Sequence, residues 1–486
     1  MNEKKTIELF TKKSGDYASS NYICLNENDL VVDAVKRAVE KNKETILAQN
    51  KNEEIIGIVT LKDIFKKFVT KFGQEIKIKD IMTSPVIYVN MSDLLFHAVG
   101  IMRKNNFTHI PVLNDRNKEV IGILNLSDAL FAELGNTISH IDSLTQDEND
   151  IQGLINIKKY QPILVENLLQ QNVAPGDIAY LLSFLNNLIY LRSVNIAKKE
   201  ISQKFKNFTV PNFSVITMGS GGRMESFLHP DQDNGIIYSG DENKETDLYF
   251  EELSKHFTKI LDDCDIPFCK GNLMASNPLW RHSLNGWKSQ LEDWTKNLSQ
   301  QSMRYIEMLY DFRSVYGDAS LARDLRTFLL NVLDNKYLQK FMYKNEENSD
   351  AGLNIFGNFV LEKDDEENKG LFNLKHTGTL PLVESIRLYS VKYQIEEIST
   401  QERLDKLKSL DVFTENEFDF FSNAHKFLSL ILLKNQFERA KQNLSVRNYI
   451  DVYKLTDREV RMLKMYLKRI KKLKDKVRVD FSEEYF

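Results

Sequence analysis

The sequence predicts an α/β protein in three parts: a duplicated N-terminal module, a central α/β domain built around a glycine-rich turn, and an all-α C-terminal domain. Three observations predict it. Residues Ile56 to Ile64 recur 65 positions later as Ile121 to Ala129, with Gly57 matched by Gly122 and Asp63 by Asp128. Residues 213–238 read as strand, glycine break and strand. From Leu382 to Val479 apolar residues recur at three- and four-residue steps, the period of helices. A length of 486 residues, 42% of them hydrophobic, suits several cores rather than one.

Composition excludes some classes of function. Lys plus Arg is 65 against 69 for Asp plus Glu, a net charge of −4, which gives no footing for general nucleic-acid binding. Three scattered cysteines (Cys24, Cys264 and Cys269) imply a reducing, cytoplasmic compartment. No apolar run approaches the roughly 20 residues of a membrane helix, and Met1 to Lys5 lead into no signal-peptide pattern.

After a tail at 1–14, each repeat reads as helix, strand, turn, strand, helix, with helices at Leu30 to Lys41 and Leu94 to Lys104 and strands at Thr45 to Gln49 and His109 to Leu113. The copies span 15–74 and 75–139, and units this short should pack on each other. A polar, acidic stretch, His140 to Asp150, opens a helical connector at 140–205, with helices at Pro162 to Gln170 and Pro175 to Lys199. The central domain follows at 206–330, with strands at Phe213 to Met218 and Asn234 to Tyr238, helices at Glu251 to Asp262 and Ser283 to Leu298, and a further strand at Leu309 to Val315. Residues 331–486 form the helical remainder, whose last helix sets Leu463, Leu467 and Ile470 against a lysine-rich face that reads as solvated.

The richest string is Met218-Gly219-Ser220-Gly221-Gly222-Arg223-Met224-Glu225, followed by Asp231-Gln232-Asp233-Asn234. A strand entering a glycine turn and a helix start exposes backbone N–H groups able to hold phosphate oxygens. It is neither a Walker loop nor a dinucleotide fingerprint, because the lysine and the glycine spacing are wrong. Side chains two apart on a strand point the same way, so Asp231 and Asp233 can converge on one cation, and Mg²⁺ (or Mn²⁺) accepts a few carboxylates plus substrate phosphate. A third carboxylate is expected from Asp311, read as a strand residue between Tyr310 and Phe312.

This constellation resembles the nucleotidyltransferase superfamily that includes DNA polymerase beta. More closely, Gly-Ser-x-Gly-Arg-x-Glu with Asp-Gln-Asp-Asn resembles the GlnD-like signal-transduction nucleotidyltransferases labelled DUF294, in which a CBS pair precedes the transferase and a helical substrate-binding domain follows. Asn277-Pro278-Leu279-Trp280-Arg281, Asp311-Phe312-Arg313 and Leu374-Lys375-x-x-Gly378 also look like signatures of that family. The resemblance implies that Gly219 and Ser220 hold a nucleoside triphosphate and that Asp231, Asp233 and Asp311 bind metal. Arg223 and Glu225 would bond to each other or to phosphate. It further implies transfer of a nucleotide, uridylyl or adenylyl, onto a regulatory protein such as a PII-like one.

The Gly-x-x-Thr/Ser-x-x-Asp pattern of the repeats is that of CBS domains, which pair as a Bateman module and commonly bind adenine nucleotides. By that resemblance Thr60 and Asp63, and in the weakened second cleft Asn125 and Asp128, would hold a ligand, and the module would make a homodimer. Both aspartates also suit plain helix caps. Two other readings stand beside the transferase: a non-catalytic adenylate sensor or scaffold that binds nucleotide, and transfer onto a small molecule.

Overall fold

The computed structural model describes residues 13–60, 63–64, 75–93, 95, 98, 101–102, 105, 107–125, 151–170, 173–346, 351–354, 356–442 and 444–482. Asp128 and the stretch from His140 to Asp150 lie outside them. The chain forms two compact units, 1–146 and 147–486.

In the first unit, alternating apolar strands build two small sheets of like topology. β1 (Tyr22–Asn26), α1 (Val31–Glu40), β2 (Thr45–Gln49) and β3 (Ile55–Val59) form one half; α2 (Ile78–Ile81), β4 (Val89–Asn90), β5 (His109–Leu113) and β6 (Val120–Asn125) belong to the stretch that follows. In each sheet the first strand runs parallel and the third antiparallel to the middle one. The leading strands β1 and β4 are additions to the order read from sequence. Leu47, Ile58 and Ile123 share one apolar cluster, so the halves bury surface against each other.

The second unit opens with α3 (Ile151–Gln170) and α4 (Pro175–Ile201). Pro162 does not start α3; it lies inside it. Then come β7 (Phe213–Thr217), the single turn α5 (Gly219–Gly222), β8 (Asn234–Tyr238), α6 (Lys244–Asp263), β9 (Arg281–Ser283), α7 (Leu284–Lys296), α8 (Gln300–Tyr310) and β10 (Arg313–Gly317). The sheet order is β10-β7-β8-β9, with β9 parallel to β8 and the other pairs antiparallel. Helices α9 (Ala319–Leu333) and α10 (Lys336–Glu346), a two-stranded ribbon of β11 (Phe372–Asn373) and β12 (Tyr449–Ile450), and helices α11 (Leu380–Lys392), α12 (Thr400–Ser409), α13 (Glu415–Lys441) and α14 (Asp457–Ser482) complete it.

One apolar cluster runs from Ile216 and Ile237 of the sheet through Leu325 and Ile386 to Leu467 and Phe481. The central and C-terminal regions therefore share a core. The segment Leu309 to Val315, expected as strand, divides differently: α8 runs to Tyr310, Asp311 is its C-cap, and the strand begins at Arg313. Alternating apolar residues look alike in a short strand and at a helix end, and the core decides between them. Among the described residues, no helix is long and apolar enough to cross a membrane.

Candidate active site

The glycine turn sits where β7 leaves the sheet. Gly219 has φ +56, a conformation that L side chains rarely adopt, and a Cβ there would lie 3.0 Å from Met308 Cε and 3.3 Å from Asp233 Oδ2. Gly222 is more tightly constrained, because a Cβ would stand 1.8 Å from the Asp311 carbonyl oxygen. Gly222 and Arg223 return their N–H groups to Met218 and Gly219. Among the described residues, no hydrogen bond uses the N–H groups of Gly219, Ser220 and Gly221, which leaves three donors for an anionic occupant.

Asp231 and Asp233 flank a buried anchor. The Gln232 side chain is fully buried and donates from Nε2 to the carbonyls of Thr258 (2.9 Å) and Ile266 (2.8 Å). Met218 N–H donates to the Asp233 carbonyl at 2.9 Å, joining this segment to the glycine turn. With Gln232 turned into the core, both carboxylates line the cleft beneath the turn. Thr217, Gly221 and residues of α4 complete the wall of that cleft.

Burial pushes the Asp233 carboxyl up to about 6, against the Cys269 thiol that donates to it and the nearby Lys375 charge, with Asp231 adding to the upward push. Burial and the Asp233 charge in turn push the Cys269 thiol up to about 11. Two acids on one cleft favour a cation between them. The donor set suits Mg²⁺, which takes one or two carboxylates together with substrate phosphates. Among the described residues there is no group of three or more His, Cys, Asp or Glu side chains able to hold a metal by itself.

Asp311, expected as the third metal ligand, sits among arginines. Its carboxylate is fully buried and caged by three guanidinium groups: Arg223 Nη1 at 2.6 Å and Arg387 Nη2 at 3.1 Å from Oδ2, and Arg403 Nη1 at 2.7 Å from Oδ1. Burial alone would raise its pKa, but Arg387, Arg403 and Arg223 hold it well below the usual carboxylate range. Charge-assisted contacts of this kind bind the carboxylate strongly, and among the described residues Asp311 does not join Asp231 and Asp233 in a three-acid group.

Arg223 and Glu225, candidates for phosphate, belong to the same clamp. Arg223 Nε donates to Glu225 Oε2 at 2.8 Å, and Thr400 donates to Glu225 from its backbone N–H (2.6 Å) and its hydroxyl (3.0 Å). Their side chains tie the glycine turn to Asp311 at the end of α8 and to Thr400 at the start of α12. Ser220 Oγ lies 3.4 Å from Ser226 Oγ. In the first unit, Thr60 donates to Asp63 Oδ2 from its N–H (3.0 Å) and hydroxyl (2.8 Å), the capping arrangement, while Asn125 Nδ2 lies 3.2 Å from His109 Nε2.

The sequence reading missed the role of α4, which it took for part of a connector. Ser183, Asn186, Asn187 and Tyr190, at steps of three, four and seven from Ser183 in the mostly apolar middle of the helix, line the cleft. That polar stripe was the available signal. Lys375 was quoted without a role.

Comparison with known proteins fits this architecture. The family described as "Putative nucleotidyltransferase DUF294" matches residues 159–301, its "Putative nucleotidyltransferase substrate binding domain" matches 336–481, and CBS domains match 15–70 and 78–135. A CBS domain-containing protein, CBSX3, of Arabidopsis thaliana is 29% identical over 136 residues, covering 27% of this chain and 65% of its own. An uncharacterised protein of Helicobacter pylori is 26% identical over 129 residues, 26% of this chain and 38% of its own. The chain thus spans less than two thirds of the length of either relative. A solved structure from Burkholderia ambifaria, of a signal-transduction protein with CBS domains, is 26% identical, with 26% of this chain and 93% of that one covered and a TM-score of 0.23. With a CBS pair ahead of both DUF294 segments in the order the fold displays, the chain belongs to the CBS-containing DUF294 family.

Proposed function

We propose that this chain transfers a nucleoside monophosphate from a nucleoside triphosphate to an acceptor, at the cleft between the glycine turn and the Asp231–Asp233 pair. The observation that carries the reading is the meeting of three unspent backbone donors with two carboxylates, one of them with its pKa raised by burial. The N–H groups of Gly219, Ser220 and Gly221 take phosphate oxygens. Asp231 and Asp233 hold the divalent cation that the phosphates share, and Lys375 adds positive charge beside Asp233. Mg²⁺ or Mn²⁺ bound there would activate the acceptor oxygen and offset charge on the departing pyrophosphate. The acceptor oxygen forms a bond to the α-phosphorus, the bond to pyrophosphate breaks, and the acceptor proton leaves to solvent.

The finer reading is a GlnD-like enzyme of the cytoplasm whose acceptor is a regulatory protein resembling PII and whose donor is UTP or ATP. An adenine nucleotide on the CBS pair, at Thr60, Asp63, Asn125 and Asp128, would set its activity by binding one conformation better than another, within a homodimer made through that module. A second reading is favoured by one observation: Asp311 is spent in the arginine clamp, and no three-ligand group occurs among the described residues. On that reading the cleft binds nucleotide and transfers nothing, and the chain is a sensor. Incubation with α-labelled nucleoside triphosphates, Mg²⁺ and purified PII-like acceptors separates the two. Labelled acceptor and released pyrophosphate, both lost in Asp231→Asn and Asp233→Asn, support transfer. Nucleotide binding without pyrophosphate release supports the sensor.

A further inference from the structure

The cleft has a second, uncharged end. Asn186 is 4% exposed, and its Oδ1 accepts from Gln161 Nε2 at 2.9 Å and from Lys158 Nζ at 3.4 Å. Those two donors fix which way the amide faces, so Nδ2 is the atom left for an occupant, and it is buried without a hydrogen-bond partner. Thr217, 2% exposed at the end of β7, lines the same cleft and has a buried hydroxyl that is likewise unpartnered. A buried donor left unsatisfied loses its bonds to water with nothing in return, and two such groups facing one cleft are arranged for something that arrives later.

The neighbouring groups define its chemistry. Ser183 Oγ accepts the Ser226 N–H at 3.0 Å and Tyr190 Oη accepts from Asn234 Nδ2 at 3.4 Å, which leaves each hydroxyl proton to donate. Lys158 does not bring its charge into the cleft: it is 5% exposed, and its ammonium is spent on Gln161 (3.0 Å), Asn186 and the Leu228 carbonyl (2.9 Å). The wall is therefore rich in neutral donors. It suits an uncharged oxygen acceptor, whereas the phosphates belong to the glycine turn.

We infer that Asn186 Nδ2 and Thr217 Oγ1 form a subsite for a neutral oxygen of the nucleotide, a base carbonyl or a sugar hydroxyl. This rests on the nucleotide reading of the cleft and adds the part that recognises more than phosphate. Lys158 and Gln161 act as positioning residues, holding the amide so that its donor faces the ligand.

The test is calorimetric binding of UTP, ATP, dUTP and inorganic tripolyphosphate, each with Mg²⁺, to the full chain and two variants. Thr217→Val keeps the shape and removes an unpartnered hydroxyl; Asn186→Asp keeps an acceptor for Lys158 and Gln161 and removes the donor. Both should melt no lower than the parent. Each should bind UTP about tenfold more weakly while binding tripolyphosphate unchanged. A loss carried by UTP and dUTP but not ATP identifies a base carbonyl; a loss seen with UTP and ATP but not dUTP identifies the 2′-hydroxyl, and one seen with all three the 3′-hydroxyl. If the variants bind every nucleotide as the parent does, or lose tripolyphosphate to the same extent, the subsite is refuted while the nucleotide reading stands. If the parent binds no nucleotide at all, both fall together.

Discussion

Asp311→Asn separates a clamp from a metal ligand. The carboxylate is fully buried and meets guanidinium groups of Arg223, Arg387 and Arg403 at 2.6–3.1 Å. Removing its charge takes from Arg387 and Arg403 the carboxylate they share with Arg223, which keeps Glu225, and breaking a buried ion pair by removing one partner costs about 3–5 kcal/mol. For a cooperative unit the size of residues 147–486, an unfolding entropy of roughly 0.7 kcal/mol per kelvin converts the midpoint of that range into a fall in Tm of about 6 °C. The assay pairs thermal melting with Mg²⁺-dependent nucleotide binding at a temperature where the variant is folded. The clamp predicts a large fall in Tm with affinity kept within about twofold, since the carboxylate faces arginines rather than the cleft. A variant that melts like the parent but no longer binds Mg²⁺-nucleotide would refute the reasoning and return Asp311 to the metal.

Other consequences follow from the same geometry. Gly219→Ala places a methyl in left-handed backbone, 3.3 Å from Asp233 Oδ2; the strain of about 1–2 kcal/mol should appear in melting, with nucleotide affinity down at least tenfold. Gly222→Ala, whose Cβ would stand 1.8 Å from the Asp311 carbonyl, should give insoluble protein on expression at a temperature where Gly221→Ala stays soluble. The folded pKa values of Asp311 and Glu225 are depressed, so the stability they supply is present above the unfolded carboxylate range, near pH 4, and is lost as pH falls through their folded values. Urea melts from pH 7 to pH 2 should show stability falling below about pH 4, with a shallower fall in Asp311→Asn. Asp63→Ala removes the acceptor of both Thr60 donors and should destabilise the first unit by about 1 kcal/mol, read in urea melts of the full chain.

What the sequence could and could not show follows from the range of each interaction. The repeat, β8 at Asn234 to Tyr238 and the last helix from Asp457 were legible because period and local chemistry define them. The glycine turn was legible because φ +56 at position 219 favours glycine and the glycines cluster there. Asp311 was not: Tyr310 and Phe312 make it look like a strand residue, while the arginines that claim it lie 76 residues or more away along the chain, on α11, on α12 and just after the glycine turn. Glu225 was half legible, since its bond to Arg223 is local and its bonds to Thr400 cross 175 residues. The α4 wall was hidden by its own apolar majority, in which four polar residues pass for helix surface until the sheet is packed against them.

The most direct test of the central claim is crystallographic: Mn²⁺ with a nucleoside triphosphate blocked at the α–β bridge, located by anomalous scattering. The account predicts a metal peak about 2.1 Å from carboxylate oxygens of both Asp231 and Asp233, with phosphate oxygens on the N–H groups of Gly219 to Gly221. A metal bound beside Asp311 with its arginines displaced, or a nucleotide seated away from the glycine turn, would contradict it.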